Sequence, residues 1–153
     1  MTDQNLEKIG YQPPVAILES VLYCDDLDAC GKFYEQVVGL CLISFRQGRH
    51  RFYRLDGGML LLFRAEVTSS EVVKVGGRVI PKHGAKGDGH LAFSVPSDSI
   101  THVRKRLNAF AVPIESEITW PGGGQSIYCR DPSGNSLEFA TAKLWYGSHE
   151  NGL

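Results

Sequence analysis

The chain has 153 residues, of which 42 % are hydrophobic and 22 % are charged, and its formal net charge is -1. This mixture is ordinary for one globular domain and excludes an intrinsically disordered chain, which would be poorer in apolar residues. The balanced charge lacks the basic excess typical of nucleic-acid binders, and the apolar runs are far shorter than the ~20 residues that span a bilayer. We therefore predict neither a nucleic-acid partner nor a membrane segment.

The cysteine content and the N-terminus indicate where the protein works. The four cysteines, Cys24, Cys30, Cys41 and Cys129, include no CxxC pair. Two disulfides are arithmetically allowed, but no export signal is visible near the N-terminus. We therefore predict reduced thiols and a cytoplasmic location.

The first half of the chain is predicted to fold as a strand, a helix and three strands. Residues 15–23 are rich in strand formers. Asp26 can accept the free N–H groups of a helix's first turn, and apolar residues then recur at helical spacing up to Val38. Gly39 is a typical helix end. Turn sequences then separate strands predicted at 40–45, 50–55 and 59–64.

The second half repeats this order. It is predicted to contain a strand at 90–95, a helix capped by Ser97 or Asp98, and strands at 113–119, 124–130 and 136–141. Self-similarity of this kind predicts two copies of one folding unit. The predicted division is an N-terminal arm at 1–14, a first βαβββ module at 15–64, a connecting segment at 65–87, a second module at 88–141 and a C-terminal tail at 142–153.

The repeat places three potential metal ligands at matching positions. Glu19 and His90 each lie seven residues before the predicted helix cap of their half. A tyrosine precedes the Asp-containing turn of each half, Tyr53 in the first and Tyr128 in the second. When these two tyrosines are matched, Leu62 occupies the place of Glu138. Three of the four matched positions therefore carry residue types that bind metals.

Chemistry supports convergence of these three side chains on one ion. An unpaired carboxylate is costly to bury, and a divalent cation would relieve two carboxylates and one imidazole that meet at a point. Such mixed sets suit Fe, Mn, Ni or Zn, and three protein ligands leave positions open for water or substrate. A substrate with two neighbouring oxygens could chelate that ion, which would act as a Lewis acid. The alternative is that Glu19 faces solvent through strand alternation and that His90 is a hydrogen-bonded structural residue.

Three stretches resemble the vicinal oxygen chelate superfamily, which includes the glyoxalase, bleomycin resistance and extradiol dioxygenase proteins. Residues 19–40 resemble the opening of its first module, 87–95 the start of its second module, and 128–138 its closing hairpin. The resemblance implies an α+β fold in which two tandem βαβββ modules form an open U-shaped mixed sheet around a metal-binding cleft. It also implies metal ligation by Glu19, His90 and Glu138, with modules paired either within one chain or across a homodimer.

The departures from the family bear on the reaction. Leu62 stands where glyoxalase I-like enzymes have a fourth polar ligand, and Glu19 stands where extradiol dioxygenases and fosfomycin-resistance transferases have histidine. We expect a divalent-metal-dependent enzyme acting on a small molecule with adjacent oxygens, in which Glu19 or Glu138 also moves protons. Lyase, isomerase, thiol-addition and ring-cleavage reactions all stay open. A non-catalytic protein that sequesters an antibiotic or another small molecule in the same cleft is the alternative.

Two further residues lie near the expected cleft. His83 precedes the second module and either contributes to the mouth of the site or is an exposed loop residue. Trp120 begins a glycine-rich link that either frames the cleft or is a loose hairpin loop beside a core tryptophan.

Overall fold

Two four-stranded sheets form the framework of the computed structural model, which describes residues 12–146. Each sheet is made by one half of the chain. The first half contains β1 (Glu19–Tyr23), α1 (Leu27–Lys32), β2 (Cys41–Arg46), β3 (His50–Leu55) and β4 (Gly58–Phe63). Between the halves lie α2 (Ala65–Ser70), β5 (Val73–Val75) and β6 (Arg78–Ile80). The second half contains β7 (His90–Val95), α3 (Ile100–Ala109), β8 (Ile114–Thr119), β9 (Gln125–Arg130) and β10 (Ser136–Thr141), followed by α4 (Lys143–Tyr146).

The two sheets have the same strand order, β1-β4-β3-β2 and β7-β10-β9-β8. In each sheet the first strand pairs in parallel with the last, and the other pairs are antiparallel. Even the irregularity is repeated, because β2 carries a bulge between Leu42 and Ser44 and β8 carries one between Ile114 and Ser116. The predicted α+β fold of two βαβββ units is confirmed.

The helix of the first half begins as predicted and changes form midway. The Asp26 side chain accepts hydrogen bonds from the backbone N–H groups of Asp28 and Ala29, both at 2.9 Å. The α-helix ends at Lys32, and a π-helix continues from Phe33 to Val38. Gly39 terminates it with a φ of 88°, a left-handed conformation that favours glycine.

The segment between the halves has more structure than the sequence suggested. It contains the helix α2 and a hairpin of β5 and β6 that turns at Gly76 and Gly77, both with positive φ. Two glycines in a two-residue turn are a strong hairpin signal.

A buried carboxylate accepts four hydrogen bonds, one of which joins the two halves of the chain. Asp131 lies in the hairpin between β9 and β10, and its Oδ1 accepts from the backbone N–H groups of Ser133 and Asn135. Its Oδ2 accepts from the Asn135 amide at 2.8 Å and from the Tyr34 hydroxyl at 2.9 Å. The Asn135 amide also donates to the carbonyl of Tyr23, at the end of β1. The hairpin of the second half is therefore tied to both β1 and the helical segment of the first half.

The buried core lies between the sheets and their helices and includes side chains of both halves, among them Leu60, Leu62, Leu107 and Leu137. None of the helices between residues 12 and 146 is long and apolar enough to cross a membrane.

Candidate metal centre in the second half

The structure brings two of the three predicted ligands together. His90 is the first residue of β7, and Glu138 lies on the neighbouring strand β10. The imidazole Nε2 is 3.4 Å from the carboxylate Oε2. Two ligands of one ion, each bound at about 2.0–2.2 Å, are separated by a similar distance. The pair therefore fits the first two positions of a metal centre.

The hydrogen bond of His90 uses Nδ1 and leaves Nε2, the nitrogen that faces Glu138, available to bind a metal ion. Its Nδ1 lies 3.2 Å from the carbonyl oxygen of Ser136, which can only accept a hydrogen bond. A proton on Nδ1 can be donated to this carbonyl oxygen, which leaves Nε2, the nitrogen that faces Glu138, as the atom that could bind a metal ion. Metal-binding histidines are commonly held by a bond of this kind. The His90 side chain is 54 % exposed and that of Glu138 is 7 % exposed. Solvent or a substrate can therefore reach the pair from the side of the imidazole, while the carboxylate is buried.

A relay of two side chains fixes the Glu138 carboxylate. The buried Ser126 hydroxyl donates to Oε1 of Glu138 at 2.5 Å and accepts from the Trp120 indole Nε1 at 2.9 Å. Both donors come from the strand pair β8–β9 and the link that joins it. The relay satisfies one carboxylate oxygen and leaves the other facing His90. Sequence reasoning linked Trp120 to the cleft but missed Ser126, although alternation along β9 places it on the same face as Tyr128.

Tyr128 forms a wall of the centre. It lies opposite Glu138 in the β9–β10 ladder, and its ring stacks on that of His90 with centroids 6.4 Å apart and an interplanar angle of 22°. Burial and the neighbouring Glu138 carboxylate raise the pKa of Tyr128. The phenol therefore stays protonated at neutral pH beside the carboxylate.

Glu19, the third predicted ligand, does not join the pair within one chain. It is exposed at the start of β1. Across residues 12–146, the only three His, Cys, Asp or Glu side chains with ligand atoms all within 4.8 Å of one another are Cys24, Cys30 and Asp131. The carboxylate of Glu19 is thus not grouped with His90 and Glu138 in a single copy of the chain.

The register of the first sheet corrects the position matched to Glu138. Glu19 pairs with Met59 as His90 pairs with Ser136, so the residue two places further along β4 is Leu61 and not Leu62. Leu62 instead lies in the core between sheet and helices. The error came from matching Tyr53 with Tyr128, because Phe52 is the residue opposite Leu61. Leucine is apolar at either position, so the first half supplies no fourth ligand.

The cluster of Cys24, Cys30 and Asp131 is better explained as part of the core than as a metal centre. All three side chains are buried. The Asp131 oxygens already accept four hydrogen bonds, so no carboxylate lone pair is left for an ion. A hydrogen bond with the Cys30 thiol, together with burial, raises the pKa of Cys24, while the same contact lowers that of Cys30.

His83 lies away from the pair. Its Nδ1 is 2.8 Å from the Tyr23 hydroxyl, and its ring packs edge-on against Phe63 of the first sheet. His83 is exposed and lines a cavity over the first sheet, and its contribution to the mouth of the metal centre stays a prediction. A groove of about 740 Å³ also avoids the pair: it lies between the start of β1, the β3–β4 turn and the middle of β7.

Comparisons with known proteins agree with this architecture. The family model described as the Glyoxalase/Bleomycin resistance protein/Dioxygenase superfamily matches residues 16–139. A search of curated protein sequences finds no match. Among solved structures, the chain is similar to a lactoylglutathione lyase from Agrobacterium tumefaciens, with 39 % identity and a TM-score of 0.80 over 88 % of this chain and 98 % of that one.

Two more distant structures share the fold. The virulence protein STM3117 from Salmonella typhimurium is 25 % identical, with a TM-score of 0.65 over 85 % of this chain and 98 % of that one. A fosfomycin resistance protein from Listeria monocytogenes, crystallised with Mn(II), is 17 % identical, with a TM-score of 0.62 over 86 % of this chain and 95 % of that one. At this identity the likeness concerns the fold alone.

Proposed function

Because the chain belongs to the glyoxalase/bleomycin resistance/dioxygenase superfamily, we propose that it is a divalent-metal-dependent enzyme whose substrate binds through adjacent oxygens. The observation that carries the proposal is the pair of His90 and Glu138. A carboxylate held by Ser126 faces an imidazole whose other nitrogen is anchored, with 3.4 Å between the two ligand atoms. Mixed imidazole and carboxylate ligands suit Mn, Fe, Ni or Zn.

We propose that Glu19 of a second copy completes the centre. Two sites related by a twofold axis would then form in a homodimer, each with His90 and Glu138 from one copy and Glu19 from the other. Glu19 is exposed in the single chain, and the neighbouring Ile17 and Leu18 are 75 % and 78 % exposed. Burial of such apolar side chains against a second copy would stabilise the dimer.

The chain's own residues would bind and orient the substrate and move protons. When bound, the ion supplies Lewis acidity to the adjacent substrate oxygens. The partly exposed imidazole of His90 leaves room for that substrate, and Tyr128 forms one side. Since the first half offers leucine in place of a fourth ligand, proton transfer falls to a carboxylate of the centre, Glu138 or Glu19.

The substrate search starts with conjugates of glutathione and small α-ketoaldehydes, because the 39 % identical relative is a lactoylglutathione lyase. Catechols and diketones follow, since they also present adjacent oxygens. Turnover that requires added metal would support the enzyme. Tight binding of these compounds without turnover would instead favour a sequestering protein.

Metal analysis tests the proposal directly. Protein purified without chelator should hold about one divalent ion per chain, and Glu138→Ala should lose it. Glu117→Ala is the matched control, because Glu117 is a carboxylate of the same half that pairs with Arg104 on the surface. Metal should also raise the melting temperature of the wild type, since it binds the native state. Metal-free wild type whose melting temperature does not respond to Mn, Fe, Ni or Zn would refute the proposal.

A further inference from the structure

Two cysteines of the first half lie side by side in the core, and we call Cys24 and Cys30 the dithiol pair. Cys24 directly follows β1, and Cys30 lies in α1. The backbone N–H of Cys24 donates to the carbonyl of Phe63 at 2.8 Å, and that of Cys30 donates to the carbonyl of Asp26 at 3.0 Å. The strand and the helix therefore hold both backbones in place.

The two sulfur atoms of the dithiol pair are close enough to be joined. They lie within 4.8 Å of each other, and both side chains are almost wholly buried. A disulfide brings its sulfurs to about 2.05 Å, so closure needs only a short movement of the two side chains. A single buried thiol commonly does no more than fill space in a core. Two adjacent thiols can also be oxidised to a bond.

The dithiol pair lies where the two halves of the chain meet. The Cys30 sulfur is 3.2 Å from the hydroxyl of Ser133, in the hairpin between β9 and β10. That hydroxyl oxygen accepts a hydrogen bond from the backbone N–H of Asp25 at 3.1 Å. Since a hydroxyl has one proton to donate, Ser133 can direct it at the sulfur of Cys30.

The surroundings make Cys30 the more acidic thiol of the two. Hydrogen bonds with Cys24 and with Ser133 lower the pKa of Cys30, and they outweigh the opposing effects of burial and the Asp131 carboxylate. The contact with Cys30, together with burial, raises the pKa of Cys24. Because the thiolate is the reactive form of a cysteine, Cys30 is the better nucleophile at neutral pH.

We propose that the dithiol pair is a redox site, at which hydrogen peroxide joins Cys24 and Cys30 in a disulfide. The Cys30 thiolate attacks one peroxide oxygen and the O–O bond breaks, which leaves a sulfenic acid. The departing hydroxide takes up the proton that Cys30 released and becomes water. The Cys24 sulfur then attacks the sulfenic sulfur, and the S–O bond breaks as the hydroxyl leaves with the Cys24 proton as a second water. The two sulfurs thus give up the two electrons that reduce the peroxide.

Burial selects the oxidant, and closure of the disulfide has a structural consequence. A bulky disulfide reagent has no access to the covered sulfurs, whereas hydrogen peroxide is little larger than water. Closure draws the Cys30 sulfur away from Ser133, so the oxidised chain loses one contact between its halves. The proposal does not depend on the proposed metal centre, because neither cysteine is a proposed ligand.

Peptide mapping after peroxide treatment tests the proposal on the full-length chain. Cys41→Ser, the parent for these experiments, removes the exposed thiol that could link two chains. Excess EDTA removes metal, so the result is independent of the metal centre. Remaining thiols are then alkylated in denaturant, and the chain is cleaved before Asp25, between the two cysteines. We expect two of the three remaining thiols to disappear, and the fragments carrying Cys24 and Cys30 to stay joined until reductant is added.

Single substitutions in this parent assign the two sulfurs. Cys24→Ser keeps a hydrogen-bond donor beside Cys30 but removes the second thiol, so oxidation should continue to a sulfinic acid at Cys30. In Cys30→Ser, Cys24 should be oxidised about tenfold more slowly or less, because its thiol is not activated. Cys129→Ser is the matched control, because Cys129 is a buried thiol outside the dithiol pair, and its disulfide should form as in the parent.

Thermal unfolding confirms that each variant is folded. If Cys24→Ser or Cys30→Ser does not fold, the peptide map of the parent still decides whether the disulfide forms. A parent that keeps all its thiols, a disulfide that includes Cys129, or equal oxidation of folded Cys24→Ser and Cys30→Ser would each overturn the proposal.

Discussion

Removal of the Ser126 hydroxyl should weaken metal binding without touching a metal ligand. Ser126→Ala leaves Oε1 of Glu138 and the indole Nε1 of Trp120 without their partner in a buried site. The carboxylate then becomes free to rotate away from Nε2 of His90. Loss of an orienting hydrogen bond of this kind typically costs about 10–100-fold in metal affinity. The stranded buried groups should also cost about 1–3 kcal/mol of unfolding free energy.

Titration of metal-free protein with Mn(II), with free ion followed by electron paramagnetic resonance, measures this loss. Trp120→Phe removes only the outer bond of the relay, so its affinity should lie between those of the wild type and Ser126→Ala. Ser44→Ala is the control, because its hydroxyl also contacts a histidine side chain but lies in the first half. Unchanged affinity in Ser126→Ala, or an equal loss in Ser44→Ala, would refute the role given to the relay.

Three further predictions concern the folded chain. Tyr34→Phe should lower the free energy of unfolding in urea by about 1.5–3 kcal/mol, because it removes a hydrogen bond from the buried Asp131 carboxylate. Tyr53→Phe should lower it by only about 0.5–1.5 kcal/mol, because the Glu35 carboxylate that accepts its hydrogen bond is half-exposed. A larger loss for Tyr53→Phe than for Tyr34→Phe would contradict this. The pKa of His50 is lower in the folded chain than in the unfolded chain. As the pH falls, His50 therefore takes up its proton more readily in the unfolded chain, and the free energy of unfolding should decrease below about pH 7. The fall should be shallower in His50→Gln, and identical slopes in this variant and the wild type would contradict it. Only one of four thiols, Cys41, is exposed, so one thiol per folded chain should react rapidly with a disulfide reagent; several fast thiols would contradict the burial of the others.

Much of the fold could be predicted because the same local signals occur twice. The strands 90–95 and 136–141 begin and end as expected, and the Asp26 cap forms as expected. Glu19 and His90 both prove to be the first residue of a strand that pairs in parallel with the last strand of its sheet. Periodicity and turn chemistry determine such local features.

The register within the first sheet could not be obtained from residue identity. Tyr53 and Tyr128 precede similar turns, yet Tyr53 is buried in the core while Tyr128 stacks on His90. A shift of one residue moves every side chain of a strand to the other face. Matching Tyr53 instead of Phe52 with Tyr128 therefore assigned Leu62, rather than Leu61, to the position of Glu138. Only the hydrogen-bonded ladder distinguishes the two.

The candidate site was predictable in part for a related reason. His90 and Glu138 belong to one sheet, where neighbouring strands bring them together. Glu19 belongs to the other half, and its proposed partners lie on a second copy of the chain, which the order of residues does not specify. Ser126 is an ordinary strand serine in the sequence, and its role depends on a contact with the buried Glu138.

A shared metal centre can be tested most directly by mixing two inactive variants. In a purified heterodimer of Glu19→Ala and Glu138→Ala chains, one site would carry both substitutions and the other would be intact, because each site takes Glu19 from the opposite copy. Each variant alone should lack stoichiometric metal, whereas the heterodimer should bind about half the wild-type amount. A heterodimer that binds no more metal than its parents would contradict the account.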